Sequence, residues 1–338
     1  MRQLLRALSA LCTLACAPPL AQSSTPPPRA ASSTPSTPPE LEPVAAATPA
    51  PVDATPVTAS LPPRPVLAPP NAALHETCGA LECQRFKSAA EAFARVLATH
   101  PRAIGIGESH AQKGSEHVVP TARRFSEQLL PLLAAPVDAA AAGGASHLIV
   151  ELLRPNPECV DTTNQVREAQ RPVTQQHTAT ARDDYTELGH RAKQLGIEPF
   201  VLTPNCGELR AIAEANERAV EVSLTTIAQI TDRMLRAALL QNQRAGNGRI
   251  VVAYGGALHN DESPAPARAE FSFGHKMSAF TRGQYVELDL IVREFIKDNE
   301  VWRALPWYAH FDAARYPAES VLMRTGPRSY VLFFPATP

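Results

Sequence analysis

Six short apolar runs, rich in Val, Ile and aromatic residues, constrain the fold of this chain more than any other feature. They alternate with amphipathic stretches of helical period, which is the pattern of a largely parallel β-sheet covered by helices. The predicted strands are Ala103–Gly107, His147–Leu153, Glu198–Thr203, Arg249–Gly255, Gln284–Val292 and Ser329–Phe334. The clearest predicted helices are Ser88–His100, Thr121–Leu133, Asp183–Gly196 and Glu208–Arg244, the last with an internal break. We therefore expect an α/β fold with flanking helices, in which the last two strands close the sheet as a mixed edge.

The N-terminus has the composition of an export signal. Arg2 and Arg6 precede a short apolar stretch, Ala7–Ala17, and we expect this signal peptide to end at Ala21. A lipoprotein signal that ends before Cys16 is the alternative, in which Cys16 would carry a lipid anchor. Both interpretations predict export to the periplasm or the outer cell envelope, with membrane contact only through such an anchor.

A proline-rich linker follows the signal, at residues 22–73, and 17 of the 33 prolines lie between Pro18 and Pro70. Such a segment has too little apolar surface to offset its ordering entropy, so we expect it to be disordered. Residues 74–338 are enough for a single α/β domain. The net charge of −1 argues against a nucleic-acid-binding protein. No apolar run beyond the signal is long enough to span a membrane.

Four cysteines lie in the predicted domain: Cys78, Cys83, Cys159 and Cys206. An even number in an exported chain indicates pairing, and four cysteines allow three connectivities. We expect Cys78–Cys83, which would close a short loop before a helix, and Cys159–Cys206, which follow two strands ending at the same edge of the sheet. Free buried thiols are the alternative, whereas a zinc site is not expected because no C-x-x-C pair is present.

Ionisable residues follow or interrupt the predicted strands near their carboxyl ends, where ligands bind in open α/β sheets. They are Glu108, His110, Glu151 and His259. Gly107 precedes the first histidine by three residues, and Gly256 precedes the second by the same spacing. A glycine at the end of a strand lets the chain turn sharply, so that the histidine can point back over the sheet edge. The sequence therefore predicts one site that these four residues form.

Two imidazoles and two carboxylates support two kinds of chemistry. With a divalent ion the predicted metal ligands are His110, Glu151 and His259, and the metal would be Zn²⁺, Mn²⁺, Co²⁺ or Fe²⁺. Glu108 would then be the general base for a metal-bound water, although the two glutamates could exchange these roles. Without a metal, the same four residues would form an acid–base set. The non-catalytic alternative is a structural polar cluster in which Glu151 pairs with Arg123 or Arg154.

Other polar residues carry weaker signals. Three histidines have no polar companions in the pattern and are expected to be ordinary surface or core residues: His177, His190 and His310. Glu287 and Asp289 alternate with apolar residues in a predicted strand, so both lie on one face. We expect them to contact a loop rather than a substrate.

Three segments resemble the superfamily that joins ChaN-like haem-binding proteins, Tiki/TraB-type metalloproteases and erythromycin esterases. They are Ile106-Gly107-Glu108-Ser109-His110, the intrastrand Glu151, and Gly256-Ala257-Leu258-His259. The resemblance covers roughly Ala103–Val292 and implies an α/β fold with its site at the strand ends. Its branches imply haem uptake, metal-dependent peptide cleavage or metal-independent ester hydrolysis. Likeness to the ChaN-like branch also makes His117 a second-tier ligand.

The sequence therefore predicts an exported, metal-dependent hydrolase acting on a small-molecule or peptide substrate. The alternative is a haem- or iron-binding uptake protein without catalysis. Haem needs an axial ligand and a broad apolar face. Three tyrosines could ligate its iron, although no motif singles one out: Tyr185, Tyr254 and Tyr285. A non-catalytic envelope module is the third hypothesis.

Overall fold

The computed structural model describes residues 74–134, 144–312 and 314–337. The predicted signal peptide, Cys16 and the linker at 22–73 lie outside the described residues. The strands are β1 (Leu74–Cys78), β2 (Leu81–Phe86), β3 (Ala103–Glu108), β4 (Ala145–Leu153), β5 (Glu198–Leu202), β6 (Ile250–Gly256), β7 (Tyr285–Ile291), β8 (Ser320–Arg324) and β9 (Ser329–Phe333). They form one sheet in the order β1-β2-β8-β9-β7-β3-β6-β4-β5.

The sheet is largely parallel. The six neighbouring strands from β9 to β5 run in one direction, whereas β8, β2 and β1 add an antiparallel edge. The expected fold class, a mostly parallel α/β sheet with a mixed edge, is confirmed. One detail of the prediction is wrong, because β7 does not close the sheet. It lies between β9 and β3, and β1 is the outer strand on that side.

Helices cover both faces of this sheet. They are α1 (Ala89–Leu97), α2 (residues 121–134, with a π-helical turn at Phe125–Leu129), α3 (Val160–Thr174), α4 (Ala181–Gln194), α5 (Cys206–Ala213), α6 (Ala219–Arg244), α7 (Gly274–Phe280) and α8 (Glu300–Arg303). The larger core packs α1, α2 and α4 against one face, and α6 and α7 cover the opposite face. Strands buried on both faces read as continuous apolar runs, which is why the central strands are visible in the sequence.

Three strands and three helices are missing from the sequence prediction, and two of these helices, α7 and α8, are short. β2 contains Glu82, Gln84 and Arg85, and therefore lacks an apolar run. α3 buries only Val166, so its helical period has no apolar stripe to mark it. β1 is a short edge strand of five residues, and β8, which is equally short, lies between β2 and β9. The predicted break within Glu208–Arg244 is present, between α5 and α6.

The carboxyl ends of β3, β6 and β4 lie side by side at one edge of the sheet. β6 is the middle strand of the three and is parallel to both neighbours. Glu108 in β3 is paired in register with Gly256 in β6. Residues that follow these strands must therefore share one edge, which is where open α/β sheets bind ligands.

Both predicted disulfides are present, Cys78–Cys83 and Cys159–Cys206. The first closes the short hairpin loop between β1 and β2, and α1 follows β2. The second joins the start of α3 to the start of α5, above the carboxyl ends of β4 and β5. Within the described ranges, no helix combines the length and the apolar composition needed to cross a bilayer.

Removing each disulfide should destabilise the fold unequally. Cys159–Cys206 closes a sequence separation of 47 residues and Cys78–Cys83 one of 5, and loop-closure entropy grows with this separation. We expect the Cys159→Ala/Cys206→Ala variant to lose about 4 kcal/mol of unfolding free energy and the Cys78→Ala/Cys83→Ala variant about 2 kcal/mol. Urea unfolding monitored by circular dichroism measures both losses, and the reverse order would contradict the prediction.

Candidate functional site

Glu108 is a buried carboxylate at the end of the central strand β3. Its Oε1 accepts a hydrogen bond from the Tyr185 hydroxyl at 2.8 Å and lies 3.0 Å from His110 Nδ1. The Tyr254 hydroxyl donates to its Oε2. A carboxylate only accepts, so Nδ1 of His110 carries the proton in this contact. Three donors thus satisfy both oxygens, which offsets the cost of burying the charge and makes Glu108 an orienting group.

His110 is the accessible member of this half of the site. Its side chain is 28% exposed, compared with 4% for Glu108, so a substrate can reach the imidazole. Burial lowers the pKa of His110, but the hydrogen bond and charge of Glu108, together with the charge of Glu151, outweigh burial and raise the pKa. Because Nδ1 is bound to Glu108, the free Nε2 is the ring nitrogen that can act on a substrate.

The tyrosines around the sheet are hydrogen-bond donors. Burial, reinforced by the charge of Glu108, raises the pKa of Tyr185 and Tyr254 well above the usual phenol value. Burial also raises the pKa of Tyr285, whose hydroxyl donates to the Asn260 carbonyl at 2.6 Å. A tyrosine that ligates haem iron does so as a phenolate, and these three side chains are held in the protonated form. The haem alternative therefore gains no support from them.

His177 has a companion, contrary to the sequence expectation. Its ring centroid lies 4.9 Å from that of His110. The segment after α3 forms an isolated antiparallel bridge between His177 and Gln112, which places the two imidazoles together. Burial, together with the charge of His110, lowers the pKa of His177 to about 4. His177 is therefore a neutral imidazole at neutral pH, beside the one whose protonated form is favoured.

Glu151 and His259 form the second half of the site. Glu151 Oε2 accepts the Gly256 N–H at 2.7 Å, and its Oε1 lies 3.5 Å from His259 Nε2. On the other side of the ring, His259 Nδ1 lies 2.7 Å from the Phe271 carbonyl oxygen. A carbonyl oxygen only accepts, so the proton of the neutral ring is on Nδ1. The lone pair of Nε2 therefore points towards the Glu151 carboxylate.

A small cavity lies beside this pair, lined by a group of residues that includes Glu151, Gly256, His259 and Asn260. Its size is close to the space that one water molecule needs. The carboxylate oxygen and the Nε2 lone pair are both acceptors. A water molecule in the cavity could therefore donate one hydrogen bond to each of them.

Gly256 separates the two halves of the site. A Cβ atom at this position would lie 3.2 Å from His110 Nε2 and 3.7 Å from Glu151 Oε2. The absence of a side chain here therefore leaves the imidazole of one half and the carboxylate of the other facing the same small space. The structure brings the four predicted residues to one edge, although they come from three strands and the loops that follow them.

The structural alternative, in which Glu151 pairs with Arg123 or Arg154, is not formed among the described residues. Arg123 pairs with Asp184 at 2.8 Å instead of with Glu151. Among the described residues, the ion pair of Glu151 is the one with His259. His117 is exposed in the loop before α2. It makes no hydrogen bond or ion pair with the site within the part of the chain that the structure describes.

The metal site that the sequence predicts at His110, Glu151 and His259 stays a prediction. No group of three or more His, Cys, Asp or Glu side chains in the described ranges is arranged to hold a metal ion. Donors already hold both oxygens of Glu108, and the Gly256 N–H holds Oε2 of Glu151. The side chains as placed fit a hydrogen-bonded acid–base set better than a coordination shell.

Glu287 and Asp289 contact the loop after β6, as the sequence predicts. The Asp289 carboxylate accepts a hydrogen bond from the Asn260 amide, and Glu287 accepts one from the Glu262 N–H. Burial raises the pKa of Glu287 to about 8, and the charge of Asp289 adds to this effect. Burial raises the pKa of Asp289 to about 7 despite the hydrogen bond from Asn260.

No protein-family model, curated protein or solved structure matches this chain. Its function is therefore argued from the chemistry of the site.

The raised pKa of Asp289 predicts a pH dependence of stability. Between about pH 4 and pH 7 the unfolded chain releases this proton while the folded chain keeps it, so the Asp289 contribution to stability falls as the pH rises. Asp289→Asn cannot ionise and should lose this component. The unfolding free energy of the variant should therefore improve relative to wild type between pH 4.5 and pH 7.5, as measured in urea.

Asp183→Asn, at an exposed aspartate in the first turn of α4, is the matched control. A difference between wild type and Asp289→Asn that stays constant with pH would contradict the raised pKa.

Proposed function

We propose that this protein is a hydrolase of ester or peptide bonds, in which two histidine–glutamate pairs divide acid and base catalysis. One observation carries the proposal. His110 Nε2, on a ring held through Nδ1 by Glu108, and the Glu151–His259 pair both face the space beside Gly256. Ionisable side chains that converge at the carboxyl ends of the strands are a usual mark of a functional site in an open α/β sheet.

The base half consists of Glu151 and His259. A water molecule between Oε1 and Nε2 would be polarised by both acceptors. As its oxygen attacks the substrate carbonyl carbon, one proton passes to His259 Nε2, and the resulting imidazolium is stabilised by the carboxylate 3.5 Å away. The Phe271 carbonyl keeps the ring in the tautomer that this step requires.

The acid half consists of His110 and Glu108. Collapse of the tetrahedral intermediate breaks the bond to the leaving oxygen or nitrogen, and the proton on His110 Nε2 passes to that atom. Glu108 stays ionised throughout and holds the ring by Nδ1. The proton gained by His259 returns to His110 through solvent, so the net reaction adds one water molecule and regenerates both groups.

We also propose that the protein acts outside the cytoplasm. The two disulfides support this location, because such bonds persist in oxidising compartments. In this proposal the N-terminal signal directs export, and Cys16 either carries a lipid anchor or is removed with the signal peptide.

Replacing the base pair should abolish most hydrolysis. We expect His259→Asn and Glu151→Gln each to lower kcat/KM on p-nitrophenyl esters or on a dipeptide panel by about 10²- to 10⁴-fold, the usual contribution of a general base. His190→Asn is the matched control, because this exposed histidine on α4 lies beside Glu187 and should keep wild-type activity. Folded wild-type protein that is inert on both substrate classes would remove the proposal.

Metal analysis accompanies this assay. The acid–base form predicts that activity survives EDTA and that purified protein carries no stoichiometric divalent ion. Loss of activity in EDTA, with recovery on adding Zn²⁺, Mn²⁺, Co²⁺ or Fe²⁺, would instead support the metal-dependent form at His110, Glu151 and His259.

Glu108→Gln should move the pH–rate profile. The Glu108 carboxylate raises the pKa of His110, and the protonated ring is the active acid, so activity falls as the pH rises through this pKa. Without the carboxylate the alkaline limb of kcat/KM should therefore move to lower pH. Glu116→Gln, at an exposed glutamate in the loop after His110, is the control. An alkaline limb that stays in place in folded Glu108→Gln would contradict the acid role of His110.

A further inference from the structure

One face of β7 is polar, and its side chains form hydrogen bonds with the loop that carries His259. Tyr285, Glu287 and Asp289 occupy alternate positions, so all three lie on the same face of the strand. The Tyr285 hydroxyl donates to the Asn260 carbonyl at 2.6 Å, and the Glu262 N–H donates to Glu287 Oε2 at 2.9 Å. The Asn260 amide donates to Asp289 Oδ1 at 3.1 Å. Two of the three contacts therefore fall on the residue that directly follows His259.

Asn260 is fixed at three points. It is 1% exposed, and its Nδ2 donates to the Gly105 carbonyl at 3.1 Å as well as to Asp289. Its own carbonyl accepts from Tyr285. A side chain held in this way cannot move without moving the backbone of the neighbouring residue, which is His259.

The sequence of β3 leaves room for this arrangement. A Cβ on Gly107 would lie 2.4 Å from Asp289 Oδ1 and 2.8 Å from Asn260 Nδ2, and a Cβ on Gly105 would lie 2.0 Å from the Tyr285 hydroxyl. Any larger residue at these two positions would displace the side chains of Tyr285, Asp289 and Asn260 that make these contacts. The alternating glycines of β3 therefore serve the contact between β7 and the loop.

The segment before α7 holds both the ring and the backbone of His259. The Phe271 carbonyl accepts from Nδ1, and the Phe273 N–H donates to the His259 carbonyl at 2.8 Å. These contacts come from the segment before α7. β7 also holds this part of the chain, through the hydrogen bonds of Asp289 and Tyr285 with Asn260.

We propose that Asp289 is a positioning residue for His259 and acts through Asn260. Asp289 does not itself line the cavity, and its described contact there is with the lining residue Asn260 and not with Glu151 or His259, so it is not a catalytic residue. It fixes the position of the loop after β6, so that Nε2 of His259 is directed at the Glu151 carboxylate. The kinetic consequence rests on the proposed function, whereas the orientation of the ring does not.

Two substitutions at Asp289 separate positioning from charge. Asp289→Asn keeps an oxygen that can accept from Asn260, and Asp289→Ala removes it. We expect Asp289→Ala to lower kcat by about 10²-fold with little change in KM, the cost of misplacing a catalytic group by about 1 Å. Asp289→Asn should recover most of this loss. Glu287→Ala, which frees the more distant Glu262, is the matched control and should retain most of the wild-type kcat.

Imidazole ¹⁵N spectra test the same inference without any substrate. His259 signals are assigned by their loss in His259→Asn, and wild type should show the Nδ1–H tautomer. Asp289→Ala should give a mixture of tautomers, and Asp289→Asn should restore the wild-type spectrum. If Asp289→Ala does not fold, Asn260→Ala removes the same contact from the loop side and should give the same mixture.

The outcomes are distinct. An inert wild type whose His259 spectrum changes in Asp289→Ala would sink the proposed hydrolase and support the positioning inference. Unchanged His259 signals in folded Asp289→Ala would overturn the inference whatever the activity. An equal loss of kcat in Glu287→Ala would also overturn it, since the effect would then be general loosening of the loop.

Discussion

The buried charge of Glu108 is the constraint on which the site depends. A carboxylate at the end of a central strand is tolerable only if donors surround it. Here they come from three places: α4 supplies Tyr185, β6 supplies Tyr254, and the loop after β3 supplies His110. The same requirement that stabilises the charge therefore ties a helix to the sheet and orients the imidazole. The hydrogen bonds that allow Glu108 to be buried are therefore also the ones that set the geometry of the site at this edge.

The sheet itself keeps the two histidine–glutamate pairs different. Glu108 lies on the face that α1, α2 and α4 cover, with the apolar neighbours Ile104 and Ile106. Glu151 alternates with Val150 and lies on the face that α6 and α7 cover. Each carboxylate therefore finds its own partners, although both end at the same edge. Separate environments are what allow chemically identical groups to take acid and base roles.

Features that a local sequence pattern encodes, such as the central strands, can be predicted, whereas features that depend on contacts between distant segments cannot. The central strands are apolar because both of their faces are buried, so their ends, and with them Glu151 and His259, could be located from the sequence. α3 has almost no apolar stripe, and it delivers His177 to His110 through a bridge that no local signal announces. The two glutamates were interchangeable in the sequence, because their roles are set by partners from other elements.

The hydrogen bond from Gly256 to Glu151 bears most directly on the kind of chemistry. In many metal sites a histidine donates one ring N–H to a carbonyl and ligates through the other nitrogen, and His259 has that arrangement with Phe271. Glu151, however, has Oε2 engaged by a backbone N–H at 2.7 Å, and Oε1 faces the imidazole. A carboxylate held in this way has Oε1 directed at Nε2, the ring nitrogen that carries no proton in the neutral tautomer. The bond that fixes Glu151 thus keeps Oε1 and His259 Nε2 beside the same small cavity, an arrangement that suits the proton transfer proposed for this pair.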